Sequence, residues 1–167
     1  YAGGLSPRKN TFLYEIGETI SNYHINLYGN GFEAEKAKGK EHFTYKGFVP
    51  SDQLIAKAEG DFGLVWDGDS ITSCSGNWGE YLQYNNPHKT SLYIRCELPV
   101  KAALAPFIEK NKIGIPIDSL TELNERLKAL SPEEYKQMKA NIAIVSNRLS
   151  NGYYCTKAVE KALKTLL

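Results

Sequence analysis

Two rhythms of apolar residues alternate along the first half of this chain. Short, nearly continuous apolar runs give way to stretches with helical spacing, the pattern of parallel strands covered by helices. "YAGGLS" reads as the end of a strand, "TFLYEIGETI" as a helix, and "YHINLYG" as a second strand closed by Gly29, Asn30 and Gly31. A polar linker, "FEAEKAKGKEH", leads to a third strand, "FTYKGFV". Pro50 and Ser51 then open the helix "DQLIAKA", because proline halts a ladder and serine caps a helix. "GDFGLVWDG" is apolar almost throughout, which suits a buried central strand.

The stretch from Ser70 to Asn86 is rich in Ser, Gly and Asn, and is longer than a compact domain keeps without a task. "NNPHKTSLYIRCELPV" supplies a helix and the start of a strand, followed by "KAALAPFIEKN" and the short strand "IGIPI". Two capping boxes mark later helices: Ser119 with Glu122, and Ser131 with Glu134 behind Pro132. The last helix, Tyr153 to Leu166, gathers Ala158, Val159, Ala162, Leu163 and Leu166 on one face. This order predicts one α/β domain over residues 1–167, a doubly wound, mostly parallel Rossmann-like sheet with helices on both faces. Ligands of such sheets bind beyond the carboxyl ends of the strands.

Charge narrows the partners. The chain is 42% hydrophobic and 23% charged, with 20 basic residues against 19 acidic and a net charge of +1. So even a balance gives no support to nucleic-acid or membrane-surface binding, and any anion must be met locally. The three cysteines, Cys74, Cys96 and Cys155, lie far apart and are odd in number, which points to a reducing cytoplasm rather than a disulfide framework. The three histidines are as scattered, so no zinc site is expected. Neither a signal peptide nor an apolar run of membrane-spanning length is visible. The chain starts with Tyr1 inside a strand pattern, as a piece of a larger protein would.

Three stretches fall where strand ends meet helix starts. The first carries Gly3, Gly4, Ser6, Arg8 and Lys9, in which Arg8 can fork onto a phosphate and Lys9 adds a mobile point charge. The second is the Ser70–Asn86 loop. The third carries Asn86, His88, Lys89, Thr90 and Ser91. A cation in a first helical turn costs about 0.3–1 kcal/mol against the dipole. Around a bound diphosphate, Lys89, Thr90, Ser91 and the free N–H groups would instead converge on one anion. Neither a dinucleotide fingerprint nor a phosphate-binding P-loop is present. Asp67 and Asp69 form a D-x-D pair, which after a strand can hold a divalent metal bridging a nucleotide diphosphate. They are read here as a solvated, strand-terminating turn around Gly68, with no metal, because Arg8, Lys9 and Lys89 can do the metal's work. Tyr28 and Phe48 stand at strand ends, where a nucleobase could stack.

"YAGGLSPRKNTFL", "YKGFVPSDQL", "FGLVWDG", "GEYLQYNNPHKTSLYI" and "IGIPIDSLTEL" together resemble the carboxyl-terminal half of a GT-B glycosyltransferase. The resemblance is to the glucosyltransferase 3 subfamily, which modifies serine-rich streptococcal adhesins, and to its galactofuranosyltransferase relatives. It implies that Arg8, Asn86, Lys89 and Thr90 match nucleotide-binding positions, with a UDP-sugar donor, no metal and no other cofactor. It further implies glucose transfer to N-acetylglucosamine on a serine-rich glycoprotein, or galactofuranosyl or other hexosyl transfer to a cell-surface polysaccharide. A homo-oligomer, often a tetramer, belongs to the same expectation. The amino-terminal domain that faces the acceptor is absent from these 167 residues, so no catalytic base is assigned. At "ELPVKAALAPFI" the relatives carry several more residues after the strand, so this strand should be only a few residues long.

Overall fold

The computed structural model describes residues 1–76, 88–102 and 106–166. Its strands are β1 (Ile25–Tyr28), β2 (Phe43–Gly47), β3 (Gly63–Val65), β4 (Val100–Ala102) and β5 (Gly114–Pro116). All of their pairings are parallel: β1 with β2 in one sheet, and β3, β4 and β5 in that order in a second. The amino-terminal segment extends the first sheet, since Tyr28 donates its amide to Tyr1, Gly3 to Tyr28 and Leu5 to Asn30, each at 2.9 Å. The short strand expected at "LPV" is three residues long and pairs on both sides. The residues that follow it, 103–105, lie outside those described.

Alternation along the strands sends side chains into two buried clusters. Tyr1, Ile25, Leu27, Leu64, Trp66 and Ile115 pack with Phe12 and Leu13 of α1 (Phe12–Glu15) and Leu123 of α5 (Leu123–Ala129). Ala2, Tyr28, Val65, Val100 and Ile113 pack with the other helices: Leu54 of α2 (Ser51–Lys57), Tyr93 and Ile94 of α3 (His88–Arg95), Ile108 of α4 (Pro106–Asn111), and Ile142 and Val145 of α6 (Pro132–Ser150). Each cluster draws on both sheets, which is what joins them into one body. The domain is therefore mixed α/β with parallel strands, as its sequence pattern predicts.

Two expected elements differ. The helix over residues 11–20 splits into α1 and a 3-10 turn, Ile16–Thr19. Gly17 presses there against the backbone of Lys38, where a Cβ would come within 2.0 Å of the carbonyl oxygen, so tertiary contact sets the local path. Ser119 caps only a 3-10 turn, accepting from the Thr121 amide at 3.2 Å, while Glu122 turns to Arg126 at 3.3 Å. The reciprocal box expected at Ser119 does not form. At Ser131 it does: Glu134 donates its amide to the serine hydroxyl at 3.2 Å and accepts the Ser131 amide at 2.9 Å.

The last helix, α7 (Tyr153–Leu166), has the predicted bounds but keeps its apolar stripe in water, with Val159 59% and Leu163 55% exposed. It is tied down at its start, where Tyr154 meets Phe107 edge to face at 5.7 Å.

Gly29 adopts φ +147°, and a Cβ there would lie 1.8 Å from the Gly3 carbonyl oxygen. Gly29→Ala should cost at least about 2 kcal/mol from strain and overlap combined. A urea midpoint equal to that of the parent chain would show that the amino-terminal strand can move aside freely.

Candidate functional site

Within each sheet the parallel strands end on one side, and the residues leaving them bring the chemistry. Gly3 and Gly4 follow the amino-terminal strand, Gly29 follows β1, Phe48 follows β2 and Asp67 follows β3. The glycines let side chains lie across the backbone. A Cβ on Gly3 would meet Lys89 Cε at 3.1 Å, and one on Gly4 would meet Lys9 Cδ at 3.4 Å. The space that Gly3 and Gly4 open is thus filled by two lysine stems, not left bare for a ligand to reach the main chain.

Lys89, in the first turn of α3, directs its ammonium onto Asp67, at 2.5 Å from Oδ1 and 2.6 Å from Oδ2. The Tyr1 hydroxyl donates to Asp67 Oδ1 at 2.7 Å, and the ammonium stands 4.8 Å from the Tyr1 ring centroid. Both charged side chains are nearly enclosed, 13% and 11% exposed. Asp67 is therefore not the solvated turn residue its sequence context suggests. Its charge stays inside because an ammonium and a phenol answer it. Burial pulls the Lys89 ammonium below the ordinary lysine range; Asp67 works against that shift, while Lys9 adds to it. Burial, then Asp67, pushes the Tyr1 phenol well up, so it remains a donor.

A cavity of about 560 Å³ opens beside this cluster, lined by Ser6, Arg8, Lys9, Gly68, Asp69 and Ser75. Arg8 is exposed and Lys9 half-buried. Asp69 accepts from the Ser75 hydroxyl at 2.6 Å, so the two aspartates of the D-x-D pair serve different partners. Among the described residues no group of three or more His, Cys, Asp or Glu side chains could share a cation.

The remaining candidates separate by burial. Thr90 is buried, 6% exposed, whereas Ser91 is exposed and donates back to the His88 carbonyl at 2.9 Å. Tyr28 belongs to the core: it is 6% exposed, and its hydroxyl accepts the Glu59 amide at 2.9 Å. Its ring packs among buried side chains, away from any ligand in solution. Phe48, 64% exposed, is the strand-end aromatic with a free face. Asn86 and the rest of the loop from 77 onward lie outside the described residues. Tyr1 and Asp67 are the members that sequence reasoning left out of the site. The signal was available in a carboxylate at the end of one strand and a lysine at the start of the next helix, a natural pair in a βα unit.

A parallel α/β domain places the residues that leave its strands along one rim, where such sheets commonly bind ligands. Residues 1–162 match the family described as "Glucosyltransferase 3-like, C-terminal domain", and the chain belongs to that family. It is 40% identical over 172 residues to the β-1,6-galactofuranosyltransferase WbbI of Escherichia coli (strain K12), covering 99% of this chain and 49% of that protein. It is 27% identical over 138 residues to glucosyltransferase 3 of Streptococcus gordonii, covering 80% of this chain and 40% of that protein. The chain spans less than half the length of each of these curated relatives, both of which are glycosyltransferases.

The Tyr1 phenol is a buried donor to a carboxylate, an interaction worth about 1.5–3 kcal/mol. Tyr1→Phe should lose that amount in chemical denaturation while leaving the strand pairing intact. A loss below about 0.5 kcal/mol would mean that Lys89 alone satisfies Asp67.

Proposed function

We propose that this chain is the donor-binding half of a GT-B hexosyltransferase that takes its sugar from a UDP-sugar. In this reading the two parallel sheets are parts of one doubly wound Rossmann-like layer, with the donor lying across the strand ends. The observation that carries the proposal is a strand-end cavity lined by Arg8 and Lys9, with the Lys89–Asp67 pair beside it, Asp67 adjoining Gly68 of the lining. As the glycosidic bond to the diphosphate breaks, negative charge builds on the leaving oxygen, and preplaced cations stabilise that charge. Arg8, Lys9 and Lys89 take this part without a metal or other cofactor. Phe48 offers its open face to the base, and Thr90, Ser91 and Asn86 complete the phosphate end as the family resemblance implies.

Galactofuranosyl transfer to a surface polysaccharide is the favoured activity, since the relative matching 99% of the chain is a galactofuranosyltransferase. Glucosyl transfer to a serine-rich glycoprotein bearing N-acetylglucosamine is the second reading, supported by the family description and the Streptococcus gordonii relative. Either acceptor requires an amino-terminal domain, and the shortness of the chain against both relatives supports one. The exposed apolar stripe of α7 supports a further protein surface there, from that domain or from another copy in a homo-oligomer. Three free cysteines and the absence, among the described residues, of a helix able to cross a membrane fit a cytoplasmic setting where nucleotide sugars occur.

Calorimetry tests the site directly: Lys89→Ala should weaken UDP binding by more than about tenfold, as loss of a charge-assisted contact does. Unchanged affinity would remove Lys89 from the site. In a thermal-shift panel, UDP and UDP-galactose should raise the midpoint equally with magnesium and with a chelator, and GDP should not. Stabilisation only in magnesium would favour a metal-bridged diphosphate instead.

A further inference from the structure

We propose that Asp67 is a positioning residue of the donor site, holding the Lys89 ammonium charged and aimed with one N–H left for the diphosphate. This rests on the reading of the site as a UDP-sugar site. A lysine ammonium has three N–H donors. Two are spent on Asp67, at 2.5 and 2.6 Å, and the stem lies fixed against Gly3, so the third donor belongs to whatever reaches the strand ends. Asp67 is itself fixed, because the Tyr1 hydroxyl holds Oδ1 at 2.7 Å and the residue lies two positions beyond β3, after the fully buried Trp66. The arrangement is a buried ion pair next to the cavity that Arg8 and Lys9 line, and in the proposed site the third N–H is the one that meets the phosphate.

The pair also decides whether Lys89 carries a charge at all. Burial and the nearby Lys9 both disfavour the ammonium; among the groups around it, Asp67 is the strongest influence keeping the proton. Cys74, from the loop after β3, faces the same cluster, but burial pushes its thiol up to about 11, so it stays neutral. The Tyr1 phenol is neutral for the same reason. Tyr93, one turn along α3, is pushed well up by burial, against the smaller opposing effect of the Ala2 amide that its hydroxyl accepts, so it too stays neutral. With the carboxylate gone, the chief influence that offsets burial is lost, and the hold of Lys89 on its proton falls further.

UDP serves as the probe, because its terminal phosphate is essentially fully ionised above pH 7, where it contributes no further titration (second pKa about 6). On the full chain, wild-type affinity should change less than about threefold between pH 7 and pH 9, whereas Asp67→Asn should bind UDP at pH 7 and lose at least about tenfold by pH 9. A flat profile in a folded Asp67→Asn, at any affinity, overturns the proposal. Should that variant fail to fold, Asp67→Glu carries the test, since it keeps the charge and displaces its position. It should give a flat profile with affinity reduced by about fivefold or more, and wild-type affinity in it overturns the positioning role. A wild-type chain that binds no UDP at any pH would instead sink the donor-site reading. Binding that Lys89→Ala abolishes, beside an Asp67→Asn variant that behaves as wild type, would sink only the role given to Asp67.

Discussion

The pairing of Lys89 with Asp67 is the contact on which the strand-end surface depends. It crosses from the end of β3 to the start of α3 and passes under the amino-terminal segment, so three separate stretches of chain converge there. Burying two charges is costly, and such a pair breaks even only with good geometry and further hydrogen bonds. Here the ammonium meets both carboxylate oxygens and the Tyr1 hydroxyl takes a further lone pair. The same contact resolves the conflict of a cation in a first helical turn. A dipole penalty of about 0.3–1 kcal/mol is small beside the removal of either partner, which for a buried pair costs about 3–5 kcal/mol.

Much of this fold was legible because its strands and helices obey different periods. The runs around Leu27, Tyr45 and Val65 became strands in the expected order, and Ser131, Pro132 and Glu134 began a helix as their chemistry dictates. What failed depended on distant contacts. Gly17 meets the Lys38 backbone only after folding, and that meeting tightens the end of a predicted helix into a 3-10 turn. Ser119 satisfies the Thr121 amide and the Ile71 carbonyl, so its spacing to Glu122 signalled a reciprocal box that tertiary structure replaced. Local rules describe what a segment prefers, while partners far along the chain decide between near-equal preferences.

The site shows the same division. Arg8, Lys9 and Lys89 could be chosen from sequence because strand ends in parallel sheets are where ligands bind, and the fold does carry all three to those ends. Tyr28 met the same positional rule, yet alternation along β1 turned it into the core. Phe48, after β2 has ended, escapes alternation and remains exposed. Position along a strand selects the neighbourhood of a site, and the side-chain period then selects which residues enter it. Asp67 was misjudged for a related reason: its Gly-Asp surroundings read as a turn, and only the arrival of Lys89 and Tyr1 makes burial tolerable.

Cations and carboxylates stand together at the strand ends. Around the cavity and its neighbouring pair stand three cations, Arg8, Lys9 and Lys89, and two carboxylates, Asp67 and Asp69. Asp67 neutralises much of the field of Lys89 while fixing its direction, whereas Arg8 and Lys9 stand nearer the solvent. In the proposed reaction this division suits a transferase. An exposed guanidinium and a half-buried lysine can draw in a diphosphate over a distance, and a clamped ammonium supplies direction at short range. A site with every cation unpaired would also grip the diphosphate product, and product release often limits turnover. Pairing the innermost cation moderates that grip while preserving its aim, which gives a buried carboxylate beside an anion site a physical reason to be there.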